Sequence, residues 1–422
     1  MSSTPGRQNA ALVSDRESRG ENQIDQSLKC TIRAFTTHWL SLVSQYRHLP
    51  IAELQDISRD SWRAARRNML RTINRISYKS ILSLYLFAQT PIPVGISADE
   101  ELDGLSAQVC MQTALYQLQR LREQRAPSDS ASLTAQYVDL ESRVYWAAMT
   151  WDTSISLTSG TRTSLSSGLK GPCAEPTWRL VKAFLVGSFA SRWQDSDLEL
   201  TFDTAYEIIA AARIAKTYIW KNITSLREAL REGVSDAGVL FAWEALVGAM
   251  EIYSTIVRPL IDRCERKMLF FDQRVRLNWY CFQVQYHLGI LMLANALEVA
   301  GREDLRKKME KAEQDAEHEA CVVLKFGLEN KYTVYESGVG GNNNPERGQP
   351  LLNASLVAID PHPQYALDLV LLMRKRLDRR VRDEKITREI YASLDSILRE
   401  VVEQLPRSSK VVQDARNGEC AA

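Results

Sequence analysis

The stretch DTAYEIIAAARIAKTYIWKNITSLREALR, residues 203–231, decides the fold class of this chain. Long apolar stripes alternate with charged faces along it, which is the pattern of an amphipathic helix. Two further stretches, 237–257 and 274–300, have the same pattern. We therefore expect these three helices to form the heart of an α-helical core.

The helical pattern extends over most of the remaining chain, and persistent β-alternation and internal repeats are missing. The further predicted helices cover a first element from about Asp25 and the ranges 58–87, 104–124, 132–157, 177–193, 303–326, 362–381 and 385–405. The sequence therefore predicts an all-α protein, a large bundle of amphipathic helices over residues 25–405.

Three segments are expected to lie outside this packed body. Residues 1–24 are poor in aromatic residues and rich in Ser, Arg, Glu and Gly, so they cannot bury enough apolar surface to offset chain entropy, and they predict a disordered tail. The run SGVGGNNNPERGQP marks a mobile loop at about 336–355. Residues 406–422 are expected to form a flexible C-terminal tail.

Composition narrows the possible partners. The chain has 422 residues, 45% of them hydrophobic, and a net charge of +1, so no overall field attracts nucleic acid or an anionic membrane. Seven scattered cysteines fit reduced, intracellular thiols. No signal peptide and no apolar run of membrane-spanning length is recognisable, so we expect no membrane association.

A basic run near the end of the chain is the best interaction candidate among the residues themselves. It contains Arg374, Lys375, Arg376, Arg379, Arg380 and Arg382. Such a cluster at a helix C-terminus complements the helix dipole and is often a solvated face, whereas the alternative is nuclear import or contact with a polyanion.

Two patterns could carry metal chemistry, and for each a structural explanation is stronger. The cluster Asp99-Glu100-Glu101-Leu102-Asp103 is similar to the magnesium box of α-helical terpene synthases, but it has no second metal motif and fits the acidic start of a helix. His318 with Cys321 offers too few ligands for zinc. We expect no active site, no metal and no cofactor.

The segment ESRVYWAAMTWDTSISLTSGTRTSLSSG, residues 141–168, carries a family resemblance. Arg143 and Trp146, then Asp152, then Ser156 and the small residues after Gly160 resemble the most recognisable block of the fungal-specific transcription factor domain. This is the middle homology region of fungal zinc-cluster regulators. The segments 76–80, 87–91 and 356–363 add to the likeness, which spans residues 28–405 in outline.

The resemblance implies a nuclear transcriptional regulator whose helical domain responds to co-regulators or to a small-molecule effector, in control of a metabolic or secondary-metabolite pathway. It carries over no catalytic residues. Relatives bind DNA through a tight cluster of six cysteines, whereas Cys30 and Cys110 are eighty residues apart here, which puts direct DNA binding in doubt. The chain is either a regulator that works through other proteins or part of a longer factor.

Two other functions stay open at this point. The first alternative is a helical protein-interaction module outside transcription. The second is an α-helical, magnesium-dependent enzyme that would use the acidic cluster at 99–103.

Overall fold

The computed structural model describes residues 5–43, 46, 48–103, 106–124, 135–164, 176–193, 199–335 and 350–418. The side chains of residues 5–19, 135–141 and 176 lie outside this description. Within the described ranges the chain is helical apart from one two-stranded sheet, which confirms the predicted all-α class.

The chain divides into two compact units, Met1–Ala148 with Pro406–Cys420, and Met149–Leu405 with the last two residues. The helices of unit 1 are α1 (Pro5–Thr36), α2 (Ile51–Thr72), α3 (Tyr78–Gln89), α4 (Ala98–Leu102), α5 (Ala107–Glu123) and the first part of α6 (Ala135–Ser159). In unit 1, α1 packs on α2 and α3, and α3 packs on α5. Trp62 and Phe87 meet in its core with ring centroids 5.5 Å apart.

The prediction of a single helix over 58–87 is wrong, because the helix is interrupted between α2 and α3. Residues 73–77 form a turn, and the hydroxyl of Ser77 accepts a hydrogen bond from Ser80 N at 3.1 Å. This is an N-cap, which satisfies a backbone donor that a new helix would otherwise leave unpaired. The apolar pattern continues through the break, so periodicity alone did not reveal it.

The expected disordered tail over 1–24 falls largely outside the described side chains, which begin at Gly20. Helix α1 already includes residues 20–24, so the ordered helix starts earlier than the predicted Asp25.

The C-terminal segment corrects a prediction. Residues 406–422 were expected to be flexible, but Lys410–Asn417 form a further helix, α17, with Val412 and Ala415 buried. Backbone hydrogen bonds fix its start in unit 1: Lys410 N donates to Ile92 O, and Val94 N donates to Ser408 O, each at 2.8 Å. Paired backbone and buried apolar side chains hold this segment in place.

Unit 2 contains the last part of α6, the three helices predicted as the core over 203–231, 237–257 and 274–300, and further helical elements. Those after α6 are α7 (Pro176–Phe184), a π turn (Leu185–Phe189), α8 (Ala190–Arg192), α9 (Phe202–Arg231), α10 (Asp236–Ile252), a second π turn (Tyr253–Val257), α11 (Arg258–Arg266), α12 (Gln273–Val299), α13 (Glu303–Lys308), α14 (Glu310–Glu329), α15 (Pro363–Arg382) and α16 (Arg388–Gln404). Helix α9 packs against α10 and α12, and α12 packs against α14 and α15.

Helix α12 lies at the centre of this core and is buried almost all round. Its Gly289 allows the indole of Trp220 on α9 to lie directly against the backbone, because a Cβ at position 289 would overlap the Trp220 ring. Leu291, Leu367 and Val370 are fully buried in the same core. Close packing of this kind makes the core sensitive to any added methyl group.

A short hairpin was missed, and its second strand lies in the segment predicted as a mobile loop. Strands β1 (Lys331–Tyr335) and β2 (Pro350–Ser355) pair antiparallel, with Thr333 opposite Asn353. Residues 350–355 are therefore ordered, contrary to the prediction for 336–355. Residues 336–349 lie outside the described part of the chain.

One helical stretch of the described chain, Asp236–Arg266, is long and apolar enough to cross a membrane. Its most apolar window has a mean hydropathy of 1.3, and 33% of that window is buried. A single stretch of this kind is weak evidence for a membrane span, because core helices of globular proteins pass the same test.

Candidate functional site

Two of the segments that carry the family resemblance meet in unit 2. The indole of Trp151, on the last turns of α6, lies edge-on to the imidazole of His362, with ring centroids 5.1 Å apart. The same indole lies 6.2 Å from the ring of Tyr365 on α15. Aromatic pairs at these distances favour edge-on or tilted arrangements. The segments around 151 and 362, far apart in sequence, therefore form one packed structure.

The loop after α6 is folded back on the helix by its own polar residues. Gly160 ends the helix with φ +70°, a left-handed conformation that glycine adopts without steric cost. The carboxylate of Asp152 accepts a hydrogen bond from Ser164 N at 2.8 Å, and the hydroxyl of Ser156 donates to Thr161 O at 2.6 Å. Asp152 and Ser156, two positions of the resemblance, thus shape the loop.

Helix α9 holds the same loop with a row of charged side chains, which we call the loop clamp: Lys221, Arg227, Glu228 and Arg231. Lys221 Nζ donates to Thr163 Oγ1 at 3.0 Å, and Thr163 N donates to Glu228 Oε1 at 3.3 Å. Arg227 and Arg231 donate to the carbonyl groups of Leu157 and Gly160. Lys221 and Glu228 are buried, so their charges are stabilised by these partners.

The clamp residues were not singled out from the sequence, although all four lie within about three turns of α9. Each side chain forms a hydrogen bond with a backbone or hydroxyl group of the loop, so these residues stabilise the loop conformation. The most recognisable block of the chain therefore has a conformational role in this structure.

A buried carboxyl lies beside the other resemblance segment. Asp360 Oδ1 accepts a hydrogen bond from His362 N at 2.8 Å and lies 3.7 Å from Cys281 Sγ. Burial raises the pKa of Asp360 to about 6. Burial, with the nearby Asp360 carboxylate, also raises the pKa of the Cys281 thiol well above its usual value. This pair holds a proton and offers no thiolate nucleophile at neutral pH.

Lys216 is, like Lys221, a fully buried amine of α9. Its Nζ donates to Gln285 Oε1 at 2.8 Å and lies 4.2 Å from the centroid of the Trp220 ring. Burial lowers the pKa of Lys216 well below its usual value, with a smaller contribution from Arg213. With a side chain 1% exposed, this amine is sealed inside the protein and does not meet a dissolved substrate.

Most basic side chains of the run at 374–382 form ion pairs with carboxylates of unit 2. Arg376 Nη1 lies 2.8 Å from Glu317 Oε1 and also pairs with Glu313, and Arg380 pairs with Glu317 as well. Arg379 lies 2.7 Å from Glu298, and Arg374 lies 3.7 Å from Asp395. Side chains of Arg376 and both its glutamates are about nine-tenths buried, so this is an internal network.

Two members of the run, Lys375 and Arg382, are exposed. A role in nuclear import or polyanion contact stays a prediction, and these two positions are where it would act.

The carboxylates of Glu313 and Glu317 and the guanidinium groups of Arg376, Arg379 and Arg380 line a pocket of about 590 Å³. His318 and Cys321 line it together with Arg306, Glu310 and Lys385. Burial raises the pKa of Cys321 to about 11, so this cysteine is a thiol at neutral pH. Within the described ranges, no group of three or more His, Cys, Asp or Glu side chains is arranged to hold a metal ion.

The acidic cluster at 99–103 has structural partners in unit 1. Ser97 caps the short helix α4, and Glu100 accepts two hydrogen bonds from the guanidinium of Arg63, at 2.6 and 2.8 Å. Lys410 of α17 lies 3.1 Å from Glu101. The acidic residues therefore join α4 to α2 and to the C-terminal helix.

No family model, curated protein or solved structure matches this chain.

Proposed function

We propose that this chain is a nuclear transcriptional regulator that acts through a helical regulatory domain, in control of a metabolic or secondary-metabolite pathway. Its partners are other regulators or co-regulators, and a small molecule is a further candidate effector. Contact with DNA is made by a partner or by a zinc cluster outside these residues, since the cysteine spacing here does not fit one.

The packing of Trp151 on His362 carries this proposal. The resemblance rests on separate short segments, and a shared fold requires that segments which pack together in the family also lie close in space here. In unit 2 two of them are in contact, and the loop clamp of α9 holds the loop that follows the first. This contact between two resembling segments within unit 2 is the observation that favours a shared fold with the family.

The chemistry of the buried groups also favours regulation over catalysis. Lys216, Cys281, His287 and Asp360 are among the groups whose pKa values burial shifts strongly, and these four side chains are buried in the core. A catalytic group must reach its substrate, at hydrogen-bond distance or through one water molecule. A helical interaction module outside transcription is the alternative that the same observations allow.

The proposal is tested by where the chain is found in the cell. A fluorescent fusion of the full chain is expected to accumulate in the nucleus and to cross-link to chromatin at a limited set of promoters. A fusion that stays cytoplasmic and yields no promoter enrichment would favour the interaction module outside transcription.

The exposed pair Lys375 and Arg382 can be tested in the same assay. Replacing both with glutamine is expected to lower the nuclear fraction, because the other four basic residues of the run are occupied by carboxylates. An unchanged nuclear fraction would remove this stretch from the import mechanism.

A further inference from the structure

Unit 2 has two exposed helical faces with apolar centres and opposite charges. We call the first the acidic face; it consists of Phe241, Glu244, Val247, Gly248 and Glu251 on α10. We call the second the basic face; it consists of Arg179, Leu180, Lys182, Phe184 and Val186 on α7 and its π turn, with Gly187.

The acidic face belongs to the stretch that is apolar enough to resemble a membrane span. Phe241 is 42% exposed and Val247 is 43% exposed. From Asp236 to Val257 the charged residues are Asp236, Glu244 and Glu251, with no basic residue among them. A helix that is hydrophobic around its whole circumference is normally buried, yet only 33% of this window is buried. An apolar outward face of this kind marks an interaction site.

The basic face has the opposite charge pattern. Leu180 is 67% exposed, Val186 is 49% exposed, and Phe184 is also exposed. From Pro176 to Ala190 the charged residues are Arg179 and Lys182, and no acidic residue is present, whereas Arg192 beyond them is paired with Glu207 of α9 at 2.9 Å. The two faces therefore complement each other in charge and share apolar centres.

Each face contains a glycine that its own chain does not require. A Cβ built at Gly187 or at Gly248 meets no atom within 4 Å. Glycine weakens a helix interior, so its presence there needs a reason outside the packing of the monomer. The missing side chain allows another helix to approach the backbone closely.

A π turn lies within the basic face, and another follows the acidic face. Gly187 lies within the π turn Leu185–Phe189, and α10 runs directly into the π turn Tyr253–Val257. Single π turns inside helices occur frequently at functional sites.

We propose that these faces dock on each other in a symmetric homodimer, the basic face of one copy on the acidic face of the other and the reverse. Docking of two acidic faces would bring Glu244 and Glu251 against their own counterparts, and two basic faces would repel in the same way. A two-fold arrangement satisfies both complementary pairs at once. A second copy of this chain is therefore the partner, because it has both an acidic face and a basic face. The inference stands independently of the role in transcription.

Light scattering and sedimentation velocity on the full chain provide the first test. We expect a species of twice the 47.9-kDa chain mass at concentrations of about 1–100 μM. The dimer should weaken as salt is raised, because exposed charges are screened. A monomer throughout this range would overturn the proposal.

Charge reversal provides the sharper test. The variants Glu244→Lys with Glu251→Lys, and Arg179→Glu with Lys182→Glu, should each raise the dimer dissociation constant by about tenfold or more. An equal mixture of the two variants should dimerise again, because each face then meets its complement. The matched control is Val322→Asp on α14, at 49% exposure, which should dimerise like the wild type. A dimer that resists both reversals, or a mixture that stays monomeric, would contradict the docking.

Gly248→Leu separates docking from folding. Since the added side chain meets nothing in its own chain, the variant should unfold at the wild-type temperature or above it. The bulk at the centre of the acidic face should nevertheless block the dimer. A folded Gly248→Leu protein that dimerises normally would overturn the proposal.

Discussion

Lys221 Nζ lies 3.0 Å from Thr163 Oγ1, and the two residues are 58 positions apart in sequence. Both side chains are buried, so this hydrogen bond ties the loop after α6 to the middle of α9 in a place that water does not reach. An ammonium group in such surroundings depends on each of its partners.

Thr163→Val should therefore destabilise the protein by about 1–3 kcal/mol, because it removes a hydroxyl acceptor from a buried charge and keeps the shape of the side chain. Urea unfolding measures the difference. Thr158→Val is the matched control, since its hydroxyl donates within its own helix to Ser154 O at 3.1 Å, and it should cost less than about 0.5 kcal/mol. Equal losses for the two variants would contradict the clamp.

Arg376→Gln should be destabilising. It removes the guanidinium that the buried carboxylates of Glu313 and Glu317 share and leaves them only Arg306 and Arg380, so the loss should be about 1–3 kcal/mol. Its neighbour Lys375 is exposed, so Lys375→Gln should change the free energy of unfolding by less than about 0.5 kcal/mol. If both substitutions proved neutral, the network would have no structural role.

Asp360→Asn tests the buried carboxyl. The pKa of Asp360 is raised to about 6, so the folded state holds this proton more tightly than the unfolded state. The stability it contributes is present below the unfolded pKa, near 4, and is lost as the pH rises through 6.

Wild-type stability relative to Asp360→Asn should accordingly fall by an amount on the order of 3 kcal/mol between about pH 4 and pH 6. Urea unfolding of both proteins across this range gives the difference directly. A difference that is flat, or that increases with pH, would show that the carboxyl is not buried as described.

His287→Leu should have the opposite pH dependence. Neither ring nitrogen of His287 has a hydrogen-bond partner among the described residues, and burial lowers its pKa to about 3. At pH 7 the variant should be more stable by about 1–2 kcal/mol, because an unpaired buried polar group is removed.

The advantage of the leucine variant should grow as the pH falls from 7 to 5. The unfolded histidine takes up a proton near pH 6.5, whereas the folded one stays neutral, so acid destabilises only the wild type. Thermal unfolding at several pH values checks this, and parallel curves for the two proteins would refute the burial of His287.

Periodicity predicted the long helices because their apolar stripes are set by packing in the core. The range 203–231 agrees with α9 to within one residue. Such signals are local, because they depend only on the residues of the helix itself.

Features that depend on distant partners were not visible in the sequence. The hairpin of β1 and β2 joins segments separated by residues 336–349, and its strands are too short for a distinct alternating pattern. From the sequence, the basic run was interpreted as a solvated face or an interaction surface. Its partners Glu313 and Glu317 lie 63 and 59 residues before Arg376, so the pairing was not recognisable. Pairing at that distance follows from the tertiary fold.

The most direct measurement of the central claim is a tethered reporter assay. The full chain is fused to a foreign DNA-binding domain and directed to a reporter promoter, with Arg376→Gln as a destabilised control and Lys375→Gln as its folded counterpart. Our account predicts that the wild type and Lys375→Gln change reporter expression, whereas Arg376→Gln loses the effect. Expression that stays at the level of the DNA-binding domain alone, with the fusion folded and present at the promoter, would contradict a role in transcription.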